Sequence, residues 1–232
     1  MATPGSTIAD RITDLIGATY ATIPNLSYKD LINAAFNEVV DMVSEDLLLK
    51  HSKTPGILQS NSEWLVEDRK ILKVTRVDAN SSGLERECNY VDRTGFQLAS
   101  DSNSIYYATK YSPVYHLDSA NDGAATLKIM PEPGNDQKGR IWYFSYATNA
   151  VDLTAVTAAT LNTSYYLPSN SIHAIVLKSC INILQSYISN QIQDEEDVEI
   201  LQMIQSQIQG LEKDFQTEIS RFMDDSGKPG SE

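Results

Sequence analysis

The apolar positions in the second half of the chain repeat with helical spacing from Leu167 to about Met223. Between Ile172 and Ile188 they recur at intervals of three and four residues, which is the period of one helix face. A second apolar row widens this stripe to more than half of the circumference, and its members are Ala174, Leu177 and Ile181. The pattern therefore predicts a helix at the centre of a helical unit.

A second helix is predicted directly after it, beginning at the four acids of residues 194–197. Negative charge is favoured at a helix N-terminus, because the helix dipole is positive there. Four apolar residues then repeat every seven positions, as in a helix that packs along a partner helix, and they are Leu201, Ile208, Phe215 and Phe222. The two helices are expected to form a hairpin.

The first fifty residues carry two further helical patterns. The first runs from Ser6 to Tyr20, and Ser6 or Thr7 is the expected cap. The second is capped by Ser27, with Asp30 three residues later as in a capping box, and runs to about His51. Both have an apolar stripe that must be buried against other elements.

Between these helical regions the period changes. From Trp64 to about Ala147, short alternating runs are separated by turn residues such as those of Ser100–Asn103 and Asn121–Gly123. This pattern predicts a meander of six to eight antiparallel strands, folded as a small sandwich or barrel.

The predicted fold class is therefore α+β, a four-helix bundle with an antiparallel β sandwich or barrel inserted between its second and third helices. The expected domains are a helical bundle of residues 1–56 and 162–223 and an inserted β domain of residues 57–161. Residues 224–232 have the composition of a flexible C-terminal tail.

The net charge of −13 is unevenly distributed. From Asn190 to the end there are eleven acidic residues against Lys213, Arg221 and Lys228. A protein that binds nucleic-acid phosphates tightly needs a basic face, so tight binding of DNA or RNA is not expected. No apolar run is long enough to cross a bilayer, and the N-terminus does not resemble a signal peptide, so we expect synthesis in a cytoplasm and no membrane partner.

Residues that could take part in catalysis or bind a metal are few and scattered. The three histidines lie in three different predicted elements, and neither a nucleophile elbow nor a phosphate-binding glycine loop is present. His116 and Asp118 share a face of one predicted strand and could ligate a metal, but we favour a solvated pair. Cys88 and Cys180 are expected to be buried small hydrophobes. We therefore predict no enzyme activity, no metal site and no cofactor.

Seven of the twelve tyrosines lie in the predicted strand region. Exposed tyrosines could form a contact surface for a sugar or a protein, whereas the simpler interpretation is that aromatic residues favour strands. The tyrosines concerned include Tyr106, Tyr107, Tyr111 and Tyr115.

Part of the sequence resembles the head-to-tail connector (adaptor) proteins of tailed bacteriophages. The resemblance lies in two stretches, Ser27–Val39 and Leu167–Lys178, and in the acidic polar helix that follows the second. The similarity includes the Leu-Pro start of the long apolar helix at Leu167 and the order of helix pair, strand insert and helix pair. It covers most of the chain.

The resemblance implies a non-enzymatic virion protein of the neck, which forms a ring of about twelve copies below the portal. Such a ring joins the portal to a tail or nozzle protein, and genomic DNA passes through its channel without specific binding. The residues expected in these roles are Phe222, Met223, Asp224 and Asp225 for docking on the portal, and Glu195, Glu196 and Glu199 for lining the channel. The alternative is a carbohydrate- or receptor-binding tail component that uses the tyrosine-rich β domain.

Overall fold

A computed structural model describes residues 6–17, 27–52, 55–58, 64–78, 84–119, 125–134, 137–148, 151–191 and 198–225. These residues form two compact units. The helical unit comprises Met1–His51 and Tyr146–Glu232, and the β unit comprises Ser52–Ser145.

The described residues contain seven helices and eight strands. The helices are α1 (Ile8–Ile16), α2 (Tyr28–Met42), α3 (Glu45–His51), α4 (Arg93–Ser100), α5 (Ala158–Tyr165), α6 (Ser171–Gln191) and α7 (Val198–Asp225). The strands are β1 (Gly56–Leu58), β2 (Trp64–Leu65), β3 (Arg69–Val77), β4 (Glu85–Glu87), β5 (Asn89–Tyr90), β6 (Val114–Ser119), β7 (Ala125–Met130) and β8 (Lys138–Ser145).

The prediction of a four-helix bundle with an inserted sandwich or barrel is wrong. The seven helices are spread along the chain, and α4 lies between strands. The apolar residues Phe96 and Leu98 are two apart, which matches the period of a strand, but Asp92 caps a helix here by accepting a hydrogen bond from the Gly95 N–H at 2.7 Å. The strands form two four-stranded sheets rather than one meander, and β5 runs parallel to β6.

The helical unit is built around α6, which packs against α1, α2 and α7. Residues on nearly every side of α6 are buried, from Ile172 to Leu184, so its predicted central position is confirmed. Full burial of a Leu, Ile or Val side chain stabilises a fold by about 1.5–3 kcal/mol, so this helix carries a large part of the unit's stability. The apolar row of α7 is also buried, and Ile219 replaces the half-buried Glu218 in that row, as expected.

The first two helices begin at the caps that the sequence indicates. Thr7 and Asp10 form a reciprocal capping box at α1, with distances of 3.0 and 3.1 Å. The backbone N–H of Thr7 holds the pKa of the Asp10 carboxyl below its usual value. Ser27 accepts a hydrogen bond from the Asp30 N–H at 3.3 Å, so the predicted cap of α2 is confirmed.

Two asparagines of α2 bind the segment through which the chain returns to the helices. Asn37 accepts from the Ala147 N–H at 2.8 Å and donates to the Ala147 carbonyl at 3.0 Å. Asn33 is buried and donates to the carbonyls of Thr148 and Val151 at 3.0 and 2.9 Å. Because the two asparagines are four residues apart, they lie on one face of the helix and together fix the path of this segment.

The β unit consists of two sheets with the strand orders β1-β8-β3-β4 and β2-β7-β6-β5. One segment joins both sheets, because β4 pairs with β3 and β5 pairs with β6. Between them, the Cys88 N–H donates to the Val74 carbonyl at 2.9 Å. The buried cluster of the unit comprises Leu58, Val66, Val74, Cys88, Leu127, Ile129 and Ile141.

We predict that Asn33→Ala destabilises the protein by about 2 kcal/mol, because two partly buried backbone carbonyls lose the donor that the buried Asn33 amide supplies. Urea unfolding followed by circular dichroism measures this change as a lower midpoint at constant slope. The matched control is Asn162→Ala on the exposed face of α5, which should change the free energy of unfolding by less than about 0.5 kcal/mol. Equal effects of the two substitutions would contradict the claim that the hydrogen bonds of Asn33 fix the path of the returning segment.

Candidate functional site: an exposed aromatic surface

The β unit contains a groove of about 650 Å³ beside α4 and the start of β6. Its lining is mainly apolar and aromatic, with a few side-chain amide and hydroxyl groups. The lining residues are Asn89, Val91, Gly95, Leu98, Ala99, Ile105, Tyr106, Tyr107, Thr109, Ser112 and Val114.

Four of these residues form a contiguous apolar patch that we call the aromatic surface: Leu98, Ile105, Tyr106 and Tyr107. All four are exposed, and Ile105 and Tyr106 expose 91% and 67% of their area. Single exposed apolar residues are ordinary, but large apolar side chains grouped around a groove are typical of a binding surface.

Local hydrogen bonds hold this surface in place. The Ser104 N–H donates to the Asp101 carbonyl at 2.9 Å, and the Tyr107 N–H donates to the Ser104 carbonyl at 3.1 Å. The Ala108 N–H donates to the Ala99 carbonyl at 2.9 Å, which ties the segment to the end of α4. Under the surface, Ala99, Ala108 and Val114 form a small buried cluster. The aromatic surface is therefore a fixed part of the fold.

Beside the groove, Tyr111 is also exposed, and two cations lie near its ring. The Arg86 guanidinium is 4.9 Å from the ring centroid and the Lys110 ammonium is 5.0 Å from it. Such contacts contribute about 0.5–1 kcal/mol at exposed sites. They restrict the orientation of the ring before any partner binds.

Arg86 connects Tyr111 to a buried polar network. It binds the Asp78 carboxylate, whose other oxygen binds Arg76. Arg76 is only 3% exposed, and its remaining donors bind the Pro131 carbonyl at 2.9 Å and the Gln137 side chain. A buried guanidinium is tolerated here because every part of it has an acceptor.

The arrangement offers contact chemistry rather than reactive groups. Within the described ranges, no group of three or more His, Cys, Asp or Glu is placed to hold a metal ion. His116 is buried with Nδ1 3.0 Å from the Val91 carbonyl, and Asp118 binds Lys128 at 3.2 Å. The hydrogen bond from Lys128 holds the pKa of Asp118 below its usual value. The expectation of a solvated His116–Asp118 pair is therefore wrong for the histidine.

Both cysteines are buried, as expected. Burial raises the pKa of the Cys88 thiol and of the Cys180 thiol to about 12. A neutral thiol is a poor nucleophile, so neither residue is suited to covalent chemistry.

The residues that the resemblance assigns to the portal contact and to the channel differ from one another in burial. Phe222 is only 4% exposed and packs in the buried row of α7. Met223, Asp224 and Asp225 form the end of α7. Their side chains lie outside the described structure, as do residues Glu195 and Glu196. Glu199 is exposed in the first turn of α7.

The tyrosines noted in the sequence include part of the aromatic surface. Tyr106, Tyr107 and Tyr111 are exposed, whereas Tyr115 is half-buried and packs against the core and against Tyr90. Ile105 and Leu98 are not distinguishable in the sequence from ordinary strand residues. The Ser100–Asn103 turn signal was the available indication that the following segment leaves the sheet.

The search against protein families finds no family that matches this chain, and no curated protein matches it either. Among the described helices, none is long and apolar enough to cross a membrane.

We predict that Asp78→Asn destabilises the protein by roughly 2 kcal/mol, because the buried Arg76 loses its carboxylate partner. Chemical denaturation monitored by tryptophan fluorescence measures the change. The control is Glu87→Gln in the same sheet, where the Lys73–Glu87 pair at 3.3 Å is exposed and the expected change is below about 0.5 kcal/mol. If Asp78→Asn lowers the free energy of unfolding by no more than this control does, the network does not stabilise the β unit.

Proposed function

We propose that the chain is a non-enzymatic virion structural protein, a head-to-tail adaptor in the neck. It forms a ring of about twelve copies below the portal and joins the portal to a tail or nozzle protein. Genomic DNA passes through the channel without specific binding. The resemblance in Ser27–Val39 and Leu167–Lys178 is the starting point of this proposal.

The observation that carries the proposal is the uneven distribution of charge between the two units, together with the position of the aromatic surface. The helical unit has seven basic and nineteen acidic residues, a net charge of −12, whereas the β unit has eleven and twelve, a net charge of −1. The exposed aromatic surface lies in the nearly neutral unit. A connector needs both properties, because it binds neighbouring proteins and lets a polyanion slide past.

Each unit then has a separate role in the proposed adaptor. Acids of the helical unit, including the exposed Glu199, face the channel and repel DNA phosphates. The aromatic surface of the β unit contacts a neighbouring protein, since tyrosine and large apolar side chains are enriched in interface cores. Phe222 anchors α7, and docking on the portal is assigned to Met223, Asp224 and Asp225, which follow it.

We predict that the purified chain forms closed rings near twelve copies, and that the ring fraction rises with ionic strength. Copies carrying −12 in one unit repel each other, and about 0.5 M salt screens that repulsion to within a few ångströms. Native mass spectrometry with negative-stain imaging of matched samples measures the copy number. A stable trimer, or a chain that assembles neither alone nor with portal rings, would contradict the adaptor.

A second candidate function is carbohydrate or receptor binding through the same groove. It is favoured by the position of Tyr106 and Tyr107 beside the polar side chains of Asn89, Thr109 and Ser112. Aromatic faces stack on sugar rings and neighbouring polar groups bind hydroxyls, so the groove contains both elements of a sugar site.

The substitution Ile105→Asp separates the two functions. Because Ile105 is almost fully exposed, the variant should fold normally and lose at least tenfold in affinity for the tail or nozzle protein, with no glycan binding by the parent protein. Biolayer interferometry against the tail or nozzle protein and glycan-array binding are the two measurements. Leu65→Asp, an exposed apolar position on β2 outside the groove, is the matched control. Glycan binding by the parent that Tyr106→Ala abolishes would favour the second candidate.

A further inference from the structure

Helix α7 has an exposed face opposite the row that it buries, and we call it the outer face. Its members follow helical spacing along about 22 residues and are Glu199, Met203, Gly210, Asp214, Thr217 and Arg221. All six are exposed, and Met203 exposes 61% of its area. A large apolar side chain and four well-spaced polar groups thus flank a central glycine.

Among the described residues, none packs close enough to Gly210 to require a glycine there. It lies near the middle of a 28-residue helix, where glycine weakens the helix relative to alanine. A Cβ added at this position would meet no atom within 4 Å. A glycine at such a place does, however, let a second backbone approach closely.

Two of the three charges of the outer face, those of Glu199 and Arg221, are complementary to the same face turned end for end, whereas Asp214 faces Ser206 of the second copy. Glu199 lies eleven residues before Gly210 and Arg221 lies eleven residues after it. In an antiparallel pair that crosses at Gly210, each Glu199 therefore faces Arg221 of the second copy, twice by symmetry. Met203 faces Thr217 in the same way, because each is seven residues from the glycine.

We propose that the free chain pairs with a second copy of itself through this face, with the two α7 helices antiparallel and crossing at Gly210. A parallel pair would place Glu199 against Glu199 and Arg221 against Arg221, and like charges disfavour it. Arg221 already binds Glu218 of its own helix at 2.8 Å, but a guanidinium has five N–H donors and can bind a second carboxylate.

This contact is independent of the proposed adaptor function. A two-fold contact uses the same patch on both copies and closes at two, so it is not the contact that repeats around a ring. It describes an association of the chain before assembly, which its charged pairs favour at low ionic strength, whereas ring formation is expected at high ionic strength. The contact is released in the ring, where Glu199 faces the channel. Failure of the ring prediction would leave it unchanged, and its own failure would leave the ring unchanged.

The test is a charge swap measured by sedimentation equilibrium of the full chain at low ionic strength, where the charge pairs are strongest and ring formation is least favoured. Glu199→Arg and Arg221→Glu should each weaken the dimer about tenfold or more, because each variant places like charges at both ends of the contact. The double variant should return the dissociation constant to within about threefold of the parent. Circular dichroism checks that all variants keep their helix content. A monomeric parent, unaffected single variants, or a double variant as weak as the singles would each overturn the proposal.

Cysteine cross-linking tests the register and the direction of the pair. Gly210→Cys should form a disulfide-linked dimer under mild oxidation, since the two positions meet at the crossing point. Met203→Cys should not form a disulfide-linked dimer. In the antiparallel pair its two introduced thiols lie about 21 Å apart along the helix axis, which is too far for a disulfide bond. Efficient cross-linking of Met203→Cys, or none of Gly210→Cys, would refute this arrangement.

Discussion

The helical unit depends on the burial of α6 on nearly all of its sides. A helix with apolar residues on more than half of its circumference is unstable alone in water, and it needs partners on several faces. Here α1, α2 and α7 provide those faces. The long apolar row of α7 is explained by the same requirement, and so is the position of Phe222, which packs inside the unit.

Polar groups then fix the path of the chain where apolar contact alone would not. Asn33 and Asn37 bind the returning segment to α2, and the Arg76–Asp78–Arg86 network orders one side of the β unit. The exposed aromatic surface is held by hydrogen bonds of its own segment, among them those from Tyr107 to Ser104 and from Ala108 to Ala99. A pre-ordered surface loses less conformational entropy when a partner binds, which is suited to a structural contact between proteins.

Helices α1, α2, α6 and α7 were the most predictable part of the fold, since their apolar periods extend over many residues and Thr7 and Ser27 mark two of their starts. The break between α2 and α3 and the short helix α5 were not predicted, because α3 continues the apolar pattern of α2 and α5 has only eight residues. The region of the strands was less predictable. In α4 the spacing of Phe96 and Leu98 matches a strand, and only the Asp92 cap distinguishes the helix. The parallel pairing of β5 with β6 depends on contacts distant in sequence, which local periodicity does not contain.

The site was predictable only in part, for a related reason. Tyr106 and Tyr107 were named as candidates for a contact surface, although the preference of aromatic residues for strands was the simpler interpretation. The exposure of Ile105 follows from turns that remove it from any strand. Phe222 illustrates a second difficulty, because its heptad position indicated the burial that the structure shows, while the resemblance assigned it to docking on the portal. Residue type alone does not decide between core and interface.

Hydrogen–deuterium exchange of the native chain, followed by mass spectrometry, tests most directly that the helical unit is organised around α6. The account predicts that the amides between Ile175 and Leu184 exchange the most slowly in that unit, at a rate set by its global unfolding. Exchange in this stretch as fast as in the short helix α1 would contradict it, because a helix buried on nearly all sides cannot open before the elements that cover it.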